Sequence, residues 1–189
     1  MPLLAPEAAC CPEDLFQGTS ASGRHWWVFQ TRPRAEKSCV RLLRKLHASY
    51  FLPQYTHSWR KNGRGFSSRL PLFPGYVFVC GGEAARVAAF ATNQVVREVA
   101  VPDQTQLDLE LACISRLLGG GGSLRPEDGI VKGARVAVVE GTYAGVEGRV
   151  CETVDSETIR VAIEITLLGR GVSVPVERWM IKVLEPAHG

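Results

Sequence analysis

The side chains with most chemistry to offer in this 189-residue chain are cations. Arg24, Arg32, Arg34, Lys37, Arg41, Arg44, Lys45, Arg60, Lys61, Arg64 and Arg69 fall between Arg24 and Leu70, with Glu36 as the one acid, a net +10. From Pro71 onward eleven bases meet fifteen acids. Positive charge concentrated in one segment points to a polyanion partner, most often nucleic acid. The same run also reads as a solvated basic face.

Bond-making chemistry has little support. His25, His47, His57 and His188 have no recognisable catalytic companions. Cys10, Cys11, Cys39, Cys80, Cys113 and Cys151 form no Cys-x-x-Cys pair, and no His is spaced to complete a zinc site. Reduced thiols are expected, with Cys39 and Cys80 in a core and no metal or cofactor. The run Gly119–Gly122 lacks the Gly-Lys-Ser/Thr ending of a phosphate loop. No enzyme is expected.

The elements that would position the cations follow from apolar periodicity. His25 to Thr31 reads as a strand, since Trp26-Trp27-Val28-Phe29 is bulky and β-prone. Pro33 suits the first turn of a helix. Ala35, Cys39, Leu42, Leu43 and Leu46 recur as its buried stripe, and Arg34, Lys37, Arg41 and Lys45 line another face. Ser49 to Arg60 reads as one or two strands broken at Pro53. Asn62-Gly63 then gives a tight turn at a basic hairpin tip. Phe73 to Cys80 is apolar enough for a central strand entered through Pro74-Gly75. A helix over Glu83–Ala91, a strand over Val95–Val101 and a helix N-capped by Asp103 follow. Leu107, Leu111, Ile114 and Leu118 form the stripe of that last helix. This β-α-β-β-α-β order, plus a trailing helix, predicts an α+β sandwich with helices on one sheet face.

Four glycines at 119–122 end the helical part. Period-two patterns begin beyond them, in Ile159, Val161, Ile163 and Ile165 and in Val172, Val174 and Val176. Short alternating strands over about sixty residues predict a small β-barrel. The expected division is a disordered extension over 1–23, a first domain over 24–118, a flexible linker over 119–129 and a barrel over 130–186. No apolar run approaches the ~20 residues of a membrane helix, and the N-terminus makes a poor secretory signal. A cytoplasmic monomer that does not enter membranes is expected.

Several motifs, in order, resemble the NusG family of transcription elongation factors. They are Trp26-Trp27-Val28-Phe29, the basic hairpin, Phe73-Pro74-Gly75-Tyr76-Val77, and the pair Gly133-x-Arg135-Val136 and Gly148-x-Val150. Leu168-Gly169-Arg170 and Val174-Pro175-Val176-Glu177 resemble the family's closing strands. The resemblance spans about Trp26 to Leu184. It implies an NGN-type first domain and an SH3-like KOW barrel. The segment Thr31-Arg32-Pro33-Arg34-x-Glu36-Lys37 looks more like the specialised paralogues RfaH, LoaP and UpxY.

The resemblance also implies partners. Trp27, Phe29, Phe73, Pro74 and Tyr76 would seat against the clamp helices of the largest catalytic subunit of RNA polymerase, although strand aromatics also serve as core. Phe78 reads as core. Arg32, Arg34, Lys37, Arg41, Arg60, Lys61 and Arg64 would lie near upstream or non-template DNA. Tyr143, Val146, Leu168 and Arg170 would bind NusE or Rho, or serve as ordinary barrel residues. The absence of aromatics at Val146 and Leu168 leans toward antitermination. The β-branched Ile159–Ile165 segment favours a barrel with no helical alternative form. Two other readings stay open: a housekeeping NusG acting with Rho, and an RNA-binding or ribosomal KOW protein.

Overall fold

The structure is a computed structural model. It describes residues 7–17, 24–61, 64–119, 125–128, 133–153, 158–165, 168 and 170–185. The chain divides into two units, Met1–Asp108 and Leu109–Gly189.

The first unit is organised by a five-stranded antiparallel sheet. Its strands are β1 (Cys10–Cys11), β2 (Trp26–Thr31), β3 (Ser49–Phe51), β6 (Tyr76–Cys80) and β7 (Val95–Val99), in the order β1-β3-β6-β2-β7. The apolar run of β6 occupies the centre, as its composition predicts. Strand alternation then sorts the side chains. Phe29, Tyr50, Val77 and Val79 share one face with Cys39, Val40 and Leu43 of α1 (Glu36–Lys45) and Ala89 of α2 (Glu83–Ala91), all buried. Trp26, Phe51 and Phe78 point the other way.

That second face is an aromatic layer. Phe73 meets Phe78 edge-on at 5.9 Å, Phe51 lies 6.5 Å from Phe78, and Phe16 contacts Phe51 at 4.8 Å and Trp26 at 5.8 Å. The start of α3 (Gln104–Gly119) also reaches it. The fully buried Trp26 ring donates from Nε1 to Asp108 at 2.7 Å, and the Gln104 side chain brackets the Trp26 backbone at 2.8 and 2.9 Å. Helices α1 and α2 pack on one face, and the trailing α3 brings the acceptor that a buried indole N–H needs from the opposite side. Asp103 caps α3 through the Gln106 N–H at 2.9 Å. The buried stripe of α3 runs through Leu107, Leu111, Ile114 and Leu117, one residue short of the expected Leu118.

Two other expectations change in this unit. Residues 7–17 of the extension are ordered rather than disordered. β1 pairs with β3, Phe16 enters the aromatic layer, and the Glu7 carboxylate meets Arg41 at 2.7 Å. Apolar and charged groups that a composition count scores as extension thus find partners on the sheet. Helix α1 begins at Glu36, three residues beyond Pro33, because Arg34 adopts φ +61°, outside the helical range.

Strands β4 (Gln54–Lys61) and β5 (Arg64–Pro71) form a separate two-stranded hairpin, paired from Gln54↔Pro71 to Lys61↔Arg64. The Asn62-Gly63 turn lies outside the described residues.

The second unit holds a six-stranded antiparallel sheet, β13-β9-β10-β11-β12-β8. The strands are β8 (Arg125–Asp128), β9 (Arg135–Val138), β10 (Glu147–Thr153), β11 (Thr158–Ile165), β12 (Arg170–Glu177) and β13 (Ile181–Glu185). Ile159, Val161 and Ile163 stand opposite Val176, Val174 and Val172, and all six are buried. Gly148 is required by close approach: a Cβ there would lie 2.4 Å from the Ala162 carbonyl oxygen. Gly133 combines φ +138° with a Cβ position 2.3 Å from the Val150 carbonyl oxygen. The expected linker over 119–129 is interrupted by β8, which pairs with β12. The expected boundary after 118 also differs from the division between Asp108 and Leu109.

Candidate functional site: a Pro-Gly corner and a basic hairpin

The Phe73-Pro74-Gly75-Tyr76 corner is a hydrogen-bonded turn. Tyr76 N–H donates to the Phe73 carbonyl at 3.1 Å, and Gly75 sits at φ +85°. Pro second and a positive-φ glycine third are what a type II turn requires. Two neighbours fix it. The Glu36 carboxylate accepts the Gly75 N–H at 2.6 Å, and the Gly75 carbonyl accepts the Thr31 N–H at 2.8 Å. Glu36, the single acid of the basic segment, is thus buried and spent on the corner. The corner presents exposed Pro74 and half-buried Tyr76. Tyr76 pairs across the sheet with Gln30, whose side chain accepts from Arg97 at 2.6 Å.

The five expected polymerase-facing residues do not gather into one surface. Phe29 and Phe73 are buried in place, on opposite faces of the sheet from each other, so neither offers an interface. Trp27 is half-buried on the α1–α2 face. Its Nε1 donates to the Gly81 carbonyl at 2.8 Å, and Arg86 of α2 lies 5.5 Å from its ring. Pro74 and Tyr76 remain together, joined by Gln30 and Arg97, which sequence reading missed. The signal for Gln30 was present as the polar residue closing an aromatic strand.

The cations divide as well. Arg32, Arg34, Arg60 and Arg64 are exposed. Lys37 donates to the Arg69 carbonyl at 2.5 Å and so ties α1 to the hairpin. Arg41 is paired with Glu7, and Arg24 is clamped on Asp108 at 2.6 and 3.1 Å. Two of the eleven cations are therefore neutralised by carboxylates from outside the segment. The side chain of Lys61 lies outside the described residues.

The hairpin carries exposed aromatics that charge counting overlooked. Trp59 and Phe66 are 42% and 45% exposed, and their rings stack at 5.8 Å with 18° between planes. His57 stacks on Trp59 at 5.7 Å and 22°. Period-two spacing of His57 and Trp59 was the available signal.

In the second unit Tyr143, Leu168 and Arg170 are half-buried, whereas Val146 is buried, its carbonyl accepting the Val138 N–H at 2.8 Å. Val146 closes the turn between β9 and β10 and is core. Trp179, 61% exposed and donating from Nε1 to Glu177, is the large exposed aromatic that sequence reading missed there.

Burial pushes the Cys39 and Cys80 thiols up, and Cys113 from 9.0 to about 11. Among the described residues no group of three His, Cys, Asp or Glu is arranged to hold a metal ion, and no helix is long and apolar enough to cross a membrane.

Residues 24–106 match the family model described as "Transcription termination factor nusG". The matched segment lies within the first unit. NusG proteins are transcription factors and not enzymes, in agreement with the expected lack of catalytic chemistry. The structure is also similar to Thermotoga maritima NusG, solved in a study of its domain interaction. The TM-score is 0.53 and the identity 21%, covering 88% of this chain and all of that one. An MjSpt4:Spt5 complex aligns at 15% identity over 87% of this chain and 99% of the other, with a TM-score of 0.29. No curated protein matches the sequence.

Proposed function

We propose that this protein is a transcription elongation and antitermination factor that binds RNA polymerase through its first unit and recruits a partner through its second. The match of residues 24–106 to the NusG model carries the reading. The clamp helices of the largest catalytic subunit would meet the corner at Pro74 and Tyr76, with Gln30 and Arg97 beside it. Exposed Arg32, Arg34, Arg60 and Arg64 would face upstream or non-template DNA. A factor bound better to the elongating state than to the paused state shifts their populations without bond chemistry. The second unit would act as a KOW-type recruiting module for NusE or Rho, through Tyr143, Leu168, Arg170 and the newly evident Trp179.

Purified protein added to paused elongation complexes tests this reading. Shorter pauses that Tyr76→Ala abolishes are expected. Failure of the wild-type chain to bind the polymerase ends it. The family description names termination, so the same templates are run with Rho. Earlier Rho-dependent release would establish the housekeeping reading instead. Occupancy at few transcribed regions would support an operon-specific paralogue.

A further inference from the structure

Residues 7–17 precede the segment that matches the family model and have no part in the proposed function. We propose that they form an autoinhibitory strap that withholds Arg41 from DNA, with the Glu7 carboxylate standing where a phosphate would sit. Glu7 is 9% exposed, and its Oε1 accepts from Nε and from a terminal nitrogen of Arg41, both at 2.7 Å. A phosphate oxygen makes the same contact with a guanidinium edge. The backbone of the strap seats this carboxylate. The Gln54 side chain donates to the Glu7 carbonyl at 3.3 Å, and the Leu52 N–H donates to the Ala9 carbonyl at 2.6 Å. Cys10 and Cys11 then pair with Phe51 and Tyr50 as β1 adds to β3. A second cation of the basic segment holds the far end: Arg24 donates to the Leu15 carbonyl at 3.0 Å and lies 5.3 Å from the Phe16 ring.

Arg41 is the cation whose release changes the surface. Arg44 and Lys45 follow it on α1 at steps of three and four, on the same side of the helix, and both are exposed. Lys37, one turn earlier, is spent on the Arg69 carbonyl. Freed from Glu7, Arg41 would extend Arg44 and Lys45 into a run of three cations. The Arg41 side chain stays 40% exposed while paired, so a phosphate can reach it without any change in the helix. A half-exposed ion pair is a weak lock, and a polyanion brings many phosphates against one carboxylate. Carboxylate and phosphate cannot both hold the guanidinium edge, so the strap lowers affinity for DNA and DNA loosens the strap by the same factor. The inference rests on the proposed function for choosing DNA as the polyanion.

The test uses the full chain and a labelled DNA duplex of about 20 base pairs, with affinity measured from about 50 to 200 mM salt. Glu7→Ala is expected to bind roughly three- to ten-fold more tightly at about 0.1 M salt. It should also steepen the log–log salt dependence by about one unit, the mark of one added phosphate contact. Glu7→Gln keeps the side-chain size and should give part of the same gain, which guards against a strap merely loosened by alanine. Adding Arg41→Gln to Glu7→Ala should remove the whole gain. Glu13→Gln removes a negative charge from an exposed position of the same strap and should stay within about two-fold of wild type. A gain that persists without Arg41, or an equal gain from Glu13→Gln, overturns the strap in favour of a simple change in net charge. Wild-type binding whose strength and salt slope Glu7→Ala leaves unchanged overturns the strap and leaves the DNA reading standing. Absence of salt-dependent binding in every variant overturns both.

Discussion

Replacing Glu36 by alanine should loosen the corner that carries Pro74 and Tyr76. The carboxylate is 6% exposed and accepts the Gly75 N–H at 2.6 Å. A hydrogen bond to a charged group contributes about 1.5–3 kcal/mol, and a carboxylate in a first helical turn about 0.3–1 kcal/mol more. Gly75 is half-buried, so water recovers part of the lost bond. The expected loss is about 2 kcal/mol, or roughly 8–16 °C in Tm for a unit of this size. Glu36→Gln keeps an acceptor at the same reach and should lose about half as much. Urea unfolding followed by tryptophan fluorescence, with Trp179→Phe to silence the second unit, measures stability. Hydrogen exchange at the Gly75 amide reports the bond itself. The reasoning is refuted if Glu36→Ala unfolds with the wild-type midpoint, or if Glu36→Gln is as damaging as alanine. It is refuted equally if Gly75 exchanges no faster in the alanine variant.

Three further outcomes follow from the packing. Deleting residues 1–17 removes Phe16 from Trp26 and Phe51 and Glu7 from Arg41. It should lower stability by about 2–4 kcal/mol and raise dye binding to exposed apolar surface; a wild-type midpoint would show the segment to be dispensable. Cys113 is raised by burial from 9.0 to about 11, so its contribution is whole below pH 9 and is lost as pH rises from 9 toward 11. Urea midpoints should fall over that window in wild type and less in Cys113→Ala, and the native thiol should resist alkylation at pH 8. Gly148→Ala forces a Cβ to within 2.4 Å of the Ala162 oxygen and 2.8 Å of Val161 Cγ1. A loss of about 1–3 kcal/mol or more is expected in the second unit, read from its amide spectrum.

Strand period and turn chemistry made much of the fold legible, and the limits of both are visible in particular residues. The central strand, the α2 limits, the Asp103 cap and the Pro-Gly corner follow from local sequence, because backbone preference and apolar run length act within a few residues. Strand alternation places Trp26 and Trp27 on opposite faces of the sheet. It could not say what covers each side, since that depends on α3 and Phe16, far away in sequence. The same ambiguity governed the site. Phe29 and Phe73 look like interface aromatics in a list and are core in the fold, while Gln30 and Arg97 are ordinary in a list and flank Tyr76. Charge counting had the complementary weakness. It totals Arg24 and Arg41 with the rest, yet Asp108 and Glu7 neutralise both from outside the segment. What survives is a smaller exposed set that includes Arg32, Arg34, Arg44, Lys45, Arg60, Arg64 and Arg69.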